Sequence, residues 1–214
     1  MIKQSILLSL TLACTLLFTS CAKDYTTAKK VLPTLLDSAN ECRNDSNKEF
    51  ELDCYDLIAY KNSIALLRLA VNNYKKANYK EAAKQITYVF NENNFYANSV
   101  MSDILKQTAK TNEDKMKAIS LLEEVKLVDP IASYKLYYYY VSINKNQDAI
   151  KVLSYAANNH VKEAQIELSK LYANAQDNKL VKGDLALSIY WLKEAQSSKR
   201  DFVYEIYGIK DYFK

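Results

Sequence analysis

Ala156-Ala157-Asn158-Asn159-His160-Val161-Lys162-Glu163-Ala164-Gln165, continued through Leu168 to Tyr172, is the stretch that decides the fold. Ala164, Leu168 and Tyr172 recur every fourth residue, which on an α-helix puts small and large side chains on one face. A polar loop follows, then Val181-Lys182-Gly183-Asp184 and a second set at helical spacing, Ser188, Trp191, Leu192 and Ala195. One period upstream, Ala132, Leu136 and Tyr140 repeat the first face 32 residues before Ala164, and Asp148-Ala149, Val152-Leu153 and Ala156-Ala157 repeat the second. Ala97, Met101 and Leu105 start another pair 35 residues before Ala132, with Lys117-Ala118 and Leu121-Leu122 on its second helix. Asp129-Pro130 is expected to end that second helix, because proline cannot continue it. A fourth unit begins with Leu66, Leu69, Ala70 and Tyr74 and goes on through Ala77, Tyr79 and Ala82. Helix pairs recurring about every 33 residues predict an all-α chain, an α-solenoid of antiparallel helix pairs.

Composition agrees with that architecture. Of 214 residues, 49% are hydrophobic and 25% charged, which excludes a disordered chain. Only 2 glycines and 2 prolines are present, too few for the corners of a sandwich or barrel or for glycine-rich phosphate loops. The formal net charge is +4 with the two signs interspersed, so no nucleic-acid footprint is expected. A single histidine excludes a multi-histidine metal site, and neither metal nor cofactor is expected.

Lys3 is followed by an apolar run of 13 residues, Ile6 to Phe18. That length suits the roughly 7–15-residue core of a signal peptide and is short of the ~20 residues of a membrane span. Residues 1–20 are therefore read as a cleaved leader. Thr19-Ser20-Cys21 resembles the lipobox of bacterial lipoproteins, which implies that Cys21 is acylated and becomes the first mature residue. A box ending at Cys14, or plain secretory cleavage, are the alternatives. In such lipoproteins an aspartate after the cysteine is the usual inner-membrane signal, so Ala22 implies the outer membrane, facing the periplasm. Two or three acyl chains anchor firmly where one does not. With Cys14 removed and Cys21 acylated, Cys42 and Cys54 remain in an oxidising compartment and are expected to pair, the alternative being two buried thiols. A ring of that size contributes about 3 kcal/mol in the loop-entropy picture.

The repeat itself resembles the Sel-one-like repeat, a relative of the tetratricopeptide repeat with the pattern A-x-x-x-L-G-x-x-Y, G-V-x-x-D-x-x-K-A-x-x-W-Y-x-K-A-A. Val181, Asp184, Trp191 and Ala195 fit its second half. Ser169 and Leu180 stand where it has glycine, Leu187 and Ser188 replace its K-A pair, and about three residues are inserted between Tyr172 and Leu180. The resemblance covers residues 62–200 and implies about 10–11 helices. Residues 21–61 then form a lipidated N-terminus and capping helix with the disulfide loop. Residues 201–214, bearing Phe202, Tyr204, Ile206 and Tyr207, are expected to cap the last repeat face.

Few residues suggest chemistry. His160 aligns with a turn position that wants a left-handed backbone, so it is read as a turn residue. Glu49, Glu51, Asp53 and Asp56 lack the spacing of a calcium loop and are read as a solvated, acidic helix start. Glu123 and Glu124 are adjacent on a helix and point apart, so they form no acid/base pair. Tyrosine is the unusual feature: 18 in all, including the run Tyr137–Tyr140. Tyr137 occupies a usually small position and is read as a gap-filler. If Leu136 and Tyr140 face inward as in the repeat, Tyr134 and Tyr138 line its concave groove. The equivalent positions of the neighbouring units are Tyr96, Asp103 and Lys106, and Lys170 and Asn174. An aromatic groove rimmed with charge suits an extended peptide or a partner's helix. The expected function is a non-enzymatic, lipid-anchored scaffold or adaptor for an envelope or secreted protein; a one-to-one inhibitor or immunity-type lipoprotein is the alternative.

Overall fold

A computed structural model describes residues 25–174, 179–197 and 201–213; the leader, Cys14 and Cys21 lie outside the described residues. Eleven α-helices and no strand occur among the described residues: α1 (Thr26–Glu41), α2 (Lys48–Ile58), α3 (Ser63–Lys75), α4 (Tyr79–Asn91), α5 (Tyr96–Thr108), α6 (Asn112–Val125), α7 (Pro130–Ser142), α8 (Asn146–Asn158), α9 (Lys162–Ala173), α10 (Leu185–Ser197) and α11 (Phe202–Tyr207). Neighbours pack as pairs, α3 on α4, α5 on α6, α7 on α8 and α9 on α10. Each pair leans on the next through α4 and α5, α6 and α7, and α8 and α9, a ladder consistent with an α-solenoid. The helices α3, α5 and α7 also touch one another in series and so form an inner layer.

Most positions of the faces read from sequence are buried, with the exposed Leu192 and the half-buried Tyr172 among the exceptions. Ala132, Leu136 and Tyr140 of α7, Ala149, Val152, Leu153, Ala156 and Ala157 of α8, Ala164 and Leu168 of α9, and Ser188, Trp191 and Ala195 of α10 are all buried. Short side chains let helix axes approach and the larger ones fill the space between them, as ridge-and-groove packing requires. The turns repeat as well. Ala77, Asn93, Asn144 and His160 each take a left-handed backbone, with φ of 60°, 53°, 57° and 64°. Ala77 to Asn144 and Asn93 to His160 both span 67 residues, two periods, so α3–α4–α5 and α7–α8–α9 are joined in the same way.

Asp129-Pro130 plays a different part from the one expected. α6 already ends at Val125, whose carbonyl accepts from the amides of Val128 and Asp129. Asp129 instead caps α7 by accepting from the Ile131 amide, with Pro130 at the first helical position, where its missing N–H costs nothing. Asn62 caps α3 through the amides of Ile64 and Ala65 while its own amide donates to the Leu35 carbonyl, which pins α1 to the array.

Cys42, at the end of α1, and Cys54, in α2, are disulfide-bonded with a Cα–Cα separation of 5.5 Å. The acidic stretch beside them is only partly a solvated helix start. Glu49, Asp53 and Asp56 are not buried, but Glu51 is, because it accepts from Tyr55, Lys48 and the Asn44 amide. The C-terminal segment departs most from expectation. α11 packs on α1 and α3 rather than closing the far end, and the outer side of α10 leaves Leu185, Ile189 and Leu192 exposed.

Candidate functional site

The C-terminal segment enters the inner layer beside Arg68, a charged residue in the otherwise apolar run Leu66–Leu69 and fully buried. Its guanidinium donates to the Ala39 carbonyl and to Asn40 Oδ1 at the end of α1, to the Tyr55 hydroxyl, and to the Glu205 and Ile206 carbonyls of α11. Helix ends present unpaired carbonyls and a partial negative charge, so two of them suit a buried cation. Burial pulls the guanidinium pKa down and Tyr55 opposes it, while burial pushes the Tyr55 phenol up to about 12. The disulfide loop grips the same segment. Arg43 donates to the Tyr204 carbonyl and lies over its ring, Lys48 donates to the Gly208 carbonyl, and Asp45 accepts from Tyr204 and Lys210. Gly208 ends α11 at φ 67°, and a Cβ there would come within 2.9 Å of Arg68 Cδ, so both backbone and packing require glycine.

Beyond Gly208 the chain runs along α3, α5 and α7 and inserts Tyr212. The buried Tyr212 hydroxyl donates to Asp103 Oδ2 at 2.5 Å, and Lys135 Nζ pairs with the same oxygen at 2.6 Å while also donating to the Ser99 carbonyl. Lys75 donates to the Tyr212 carbonyl. The Tyr212 ring packs on Tyr207 at 4.4 Å and Tyr74 at 6.2 Å between centroids, and Lys135 Nζ lies 5.1 Å from its centroid. Phe213 then meets Tyr134 edge-on at 5.0 Å. Burial, and after it the charge of Asp103, holds the Tyr212 phenol well above its usual pKa. Beneath Tyr207, Asp129 accepts from the Ser99 hydroxyl, and burial raises its carboxyl to about 6 against that bond and the Ile131 amide.

Family models, curated proteins and solved structures were compared with the chain, and none matches.

The expected groove residues divide into two sets. Tyr96, Asp103, Tyr134 and Tyr138 come together on α5 and α7 around the C-terminal segment. Tyr96 packs on Phe202, Asp103 holds Tyr212, and Tyr134 meets Phe213 and shares a 2.9 Å hydroxyl contact with the exposed Tyr138. Lys106 is exposed at the rim near Asp103 and Lys135. Lys170 and Asn174 line a separate pocket of about 480 Å³ with Val141, Asn144, Leu171 and Leu180. Tyr137 is buried, filling space as expected. Glu123 and Glu124 do point apart, Glu123 accepting from Lys126 and Tyr140 and Glu124 from Tyr25. No group of three or more metal-ligating side chains is found among the described residues, and no described helix is long and apolar enough to cross a membrane.

The sequence reading passed over Lys135, Lys75 and Tyr212, and took Tyr74 for a repeat position without placing it in the groove. A signal for one of them was present: Asp103 and Lys135 are 32 residues apart, one repeat period, which sets opposite charges side by side on adjacent inner helices.

Proposed function

We propose that the protein is a non-enzymatic adaptor of the bacterial cell envelope, built of Sel-one-like, tetratricopeptide-like repeats, that binds an extended segment of an envelope or secreted protein in the groove of α3, α5 and α7. One observation carries this reading: the groove already holds five residues of polypeptide, 209–213, through aromatic faces, a tyrosine hydroxyl donated to a carboxylate and a lysine on a backbone carbonyl. These are the groups that recognise a peptide and they are not a constellation for bond-making. The 67-residue recurrence of the left-handed turns supports the repeat assignment. The lipobox-like Thr19-Ser20-Cys21 supports an acylated Cys21 that holds the array at the outer membrane, facing the periplasm. The Cys42–Cys54 bond agrees with an oxidising compartment.

Two experiments test the reading. Cys21→Ala should move the protein from the membrane fraction to the soluble one, and a variant still membrane-bound after a high-salt wash contradicts the anchor. Cross-linking in mild detergent, with mass spectrometry of captured proteins, should give partners that a Tyr134→Ala, Tyr138→Ala variant loses. A single one-to-one complex stable in high salt and indifferent to those substitutions would instead favour the inhibitor class.

A further inference from the structure

The C-terminal segment is bound in two chemically different ways. From Phe202 to Gly208 the polar contacts are mostly to backbone carbonyls, which Arg43, Lys48 and Arg68 take up, with Tyr204 donating to Asp45 and with Val203, Ile206 and Tyr207 buried beneath them. From Ile209 onward the deepest contact is a side chain. Tyr212 is buried in a socket made by Tyr74 and Lys75 of α3, Asp103 of α5 and Lys135 of α7, floored by Tyr207, while Lys210 and Asp211 beside it are exposed. The socket is shaped for tyrosine in particular. Its walls are rings and lysine cations that favour any aromatic face, and at its end a largely buried carboxylate, already paired with Lys135, needs one more donor. Phenylalanine would fill the walls and leave Asp103 a donor short; lysine would meet Lys135.

We propose that this socket is a tyrosine-recognition site, and that a partner protein engages it by delivering an extended segment carrying a tyrosine, which displaces the chain's own Tyr212. The proposal rests on the adaptor reading and names what the groove recognises and what guards it. Only the part beyond Gly208 has to leave. α11 stays under Arg68, and Tyr207, fully buried, remains as the socket floor. Tethering fixes the threshold for entry. A segment joined to its site by a short linker has an effective concentration of about millimolar. A micromolar peptide of equal quality therefore cannot displace it, and a partner must bind better or be concentrated on the same membrane.

The test uses the full mature chain and a fluorescently labelled peptide, Gly-Ile-Lys-Asp-Tyr-Phe-Lys, read by polarisation. Tyr212→Ala vacates the socket while leaving the carbonyl contacts of α11 in place, and circular dichroism with a thermal melt establishes that it is folded. The variant should bind the peptide at least about tenfold more tightly than the unaltered chain. A peptide with phenylalanine for tyrosine should lose about tenfold, the worth of one hydrogen bond to a charged acceptor. Tyr212→Phe keeps the ring docked and should fall between the two chains, which preserves the test if Tyr212→Ala does not fold. Equal binding by all chains, no binding by a folded Tyr212→Ala, or indifference to the phenol overturns the socket, whereas the adaptor reading stands or falls on its cross-linking result. Exchange of tails between copies, seen as a dimer that Tyr212→Ala abolishes, overturns the assignment to a partner protein in favour of a second copy.

Discussion

Residues 202–208 and residues 209–213 of one continuous segment lie on the same inner layer, yet in the first stretch three cations take up backbone carbonyls around the buried Val203, Ile206 and Tyr207, whereas in the second the deepest contact is one side chain, Tyr212, with Lys75 on its carbonyl and Phe213 against Tyr134. Arg68, buried among α1, α2, α3 and α11, donates to the Glu205 and Ile206 carbonyls and makes the first stretch part of the fold. Asp103 and Lys135 hold Tyr212 by its hydroxyl and its π-face and make the second a matter of side-chain identity. Carbonyls are common to every residue, so a site that reads them cannot choose among sequences. A phenol is specific, so a site that reads it can. The difference separates a latch, which belongs to stability, from a socket, which belongs to recognition.

The largest effect is expected at the latch. Arg68→Ala removes the donor shared by α1, Tyr55 and α11 and strands their acceptors in the core, and should cost on the order of 4 kcal/mol in urea unfolding. A loss under 1 kcal/mol would mean that the carbonyl contacts add little to the buried Val203, Ile206 and Tyr207, and the contrast would collapse.

A buried carboxyl whose charge is felt by Tyr207 is expected to titrate within the range where the fold can be measured. The Asp129 carboxyl, beneath Tyr207, has a folded pKa of about 6 against the usual 3.8. A carboxyl whose folded pKa is raised contributes most below its unfolded value and loses that contribution as pH climbs through the folded one. At about 1.4 kcal/mol per unit the full span is on the order of 3 kcal/mol. Asparagine keeps the cap of α7 without the charge. The stability of the unaltered chain relative to Asp129→Asn should therefore fall between pH 4 and pH 7, measured as the gap between urea midpoints. A constant gap would contradict a buried, desolvated Asp129.

A smaller effect belongs to the socket. Tyr212→Phe should cost about 1.5 kcal/mol, and a double-mutant cycle with Asp103→Ala should recover most of that as coupling. Additivity in the cycle would show that the ring alone holds the segment. At the rim, Tyr138 is half exposed, and Tyr138→Ala should change stability by no more than about 0.5 kcal/mol. A larger loss would extend the socket outward to include it.

How much of this could be read from the chain follows from where each interaction sits along it. The helix pairs are legible because Ala132, Leu136 and Tyr140, or Ala164 and Leu168, bury a face whose period is local. His160 betrays its turn through its place between two such faces, and its backbone is left-handed as that place demands. Asp129-Pro130 was legible as a boundary but not as to which helix it serves, because stop and start signals overlap in a loop this short. The groove was half legible. Tyr96, Asp103, Tyr134 and Tyr138 follow from the inward positions of α5 and α7, but carrying the same register to Lys170 and Asn174 overshoots, since they line another pocket. What fills the groove was not legible at all. Tyr212 meets Asp103 across 109 residues, and Arg68 meets Glu205 across 137, and nothing in either local pattern names the other. Arg68 did carry a signal, a charge in an apolar run, without a hint of its partner.

Latch and socket alike depend on the C-terminal segment lying in the groove formed by α3, α5 and α7. The most direct measurement replaces Tyr134 with benzoyl-phenylalanine, irradiates the folded chain at high dilution, and maps the linked tryptic peptides. An intramolecular link is expected from position 134 to the peptide containing Tyr212 and Phe213, since the Phe213 ring centroid lies 5.0 Å from that of Tyr134. Links from position 134 to other parts of the chain, with the terminal peptide recovered unmodified, would contradict it.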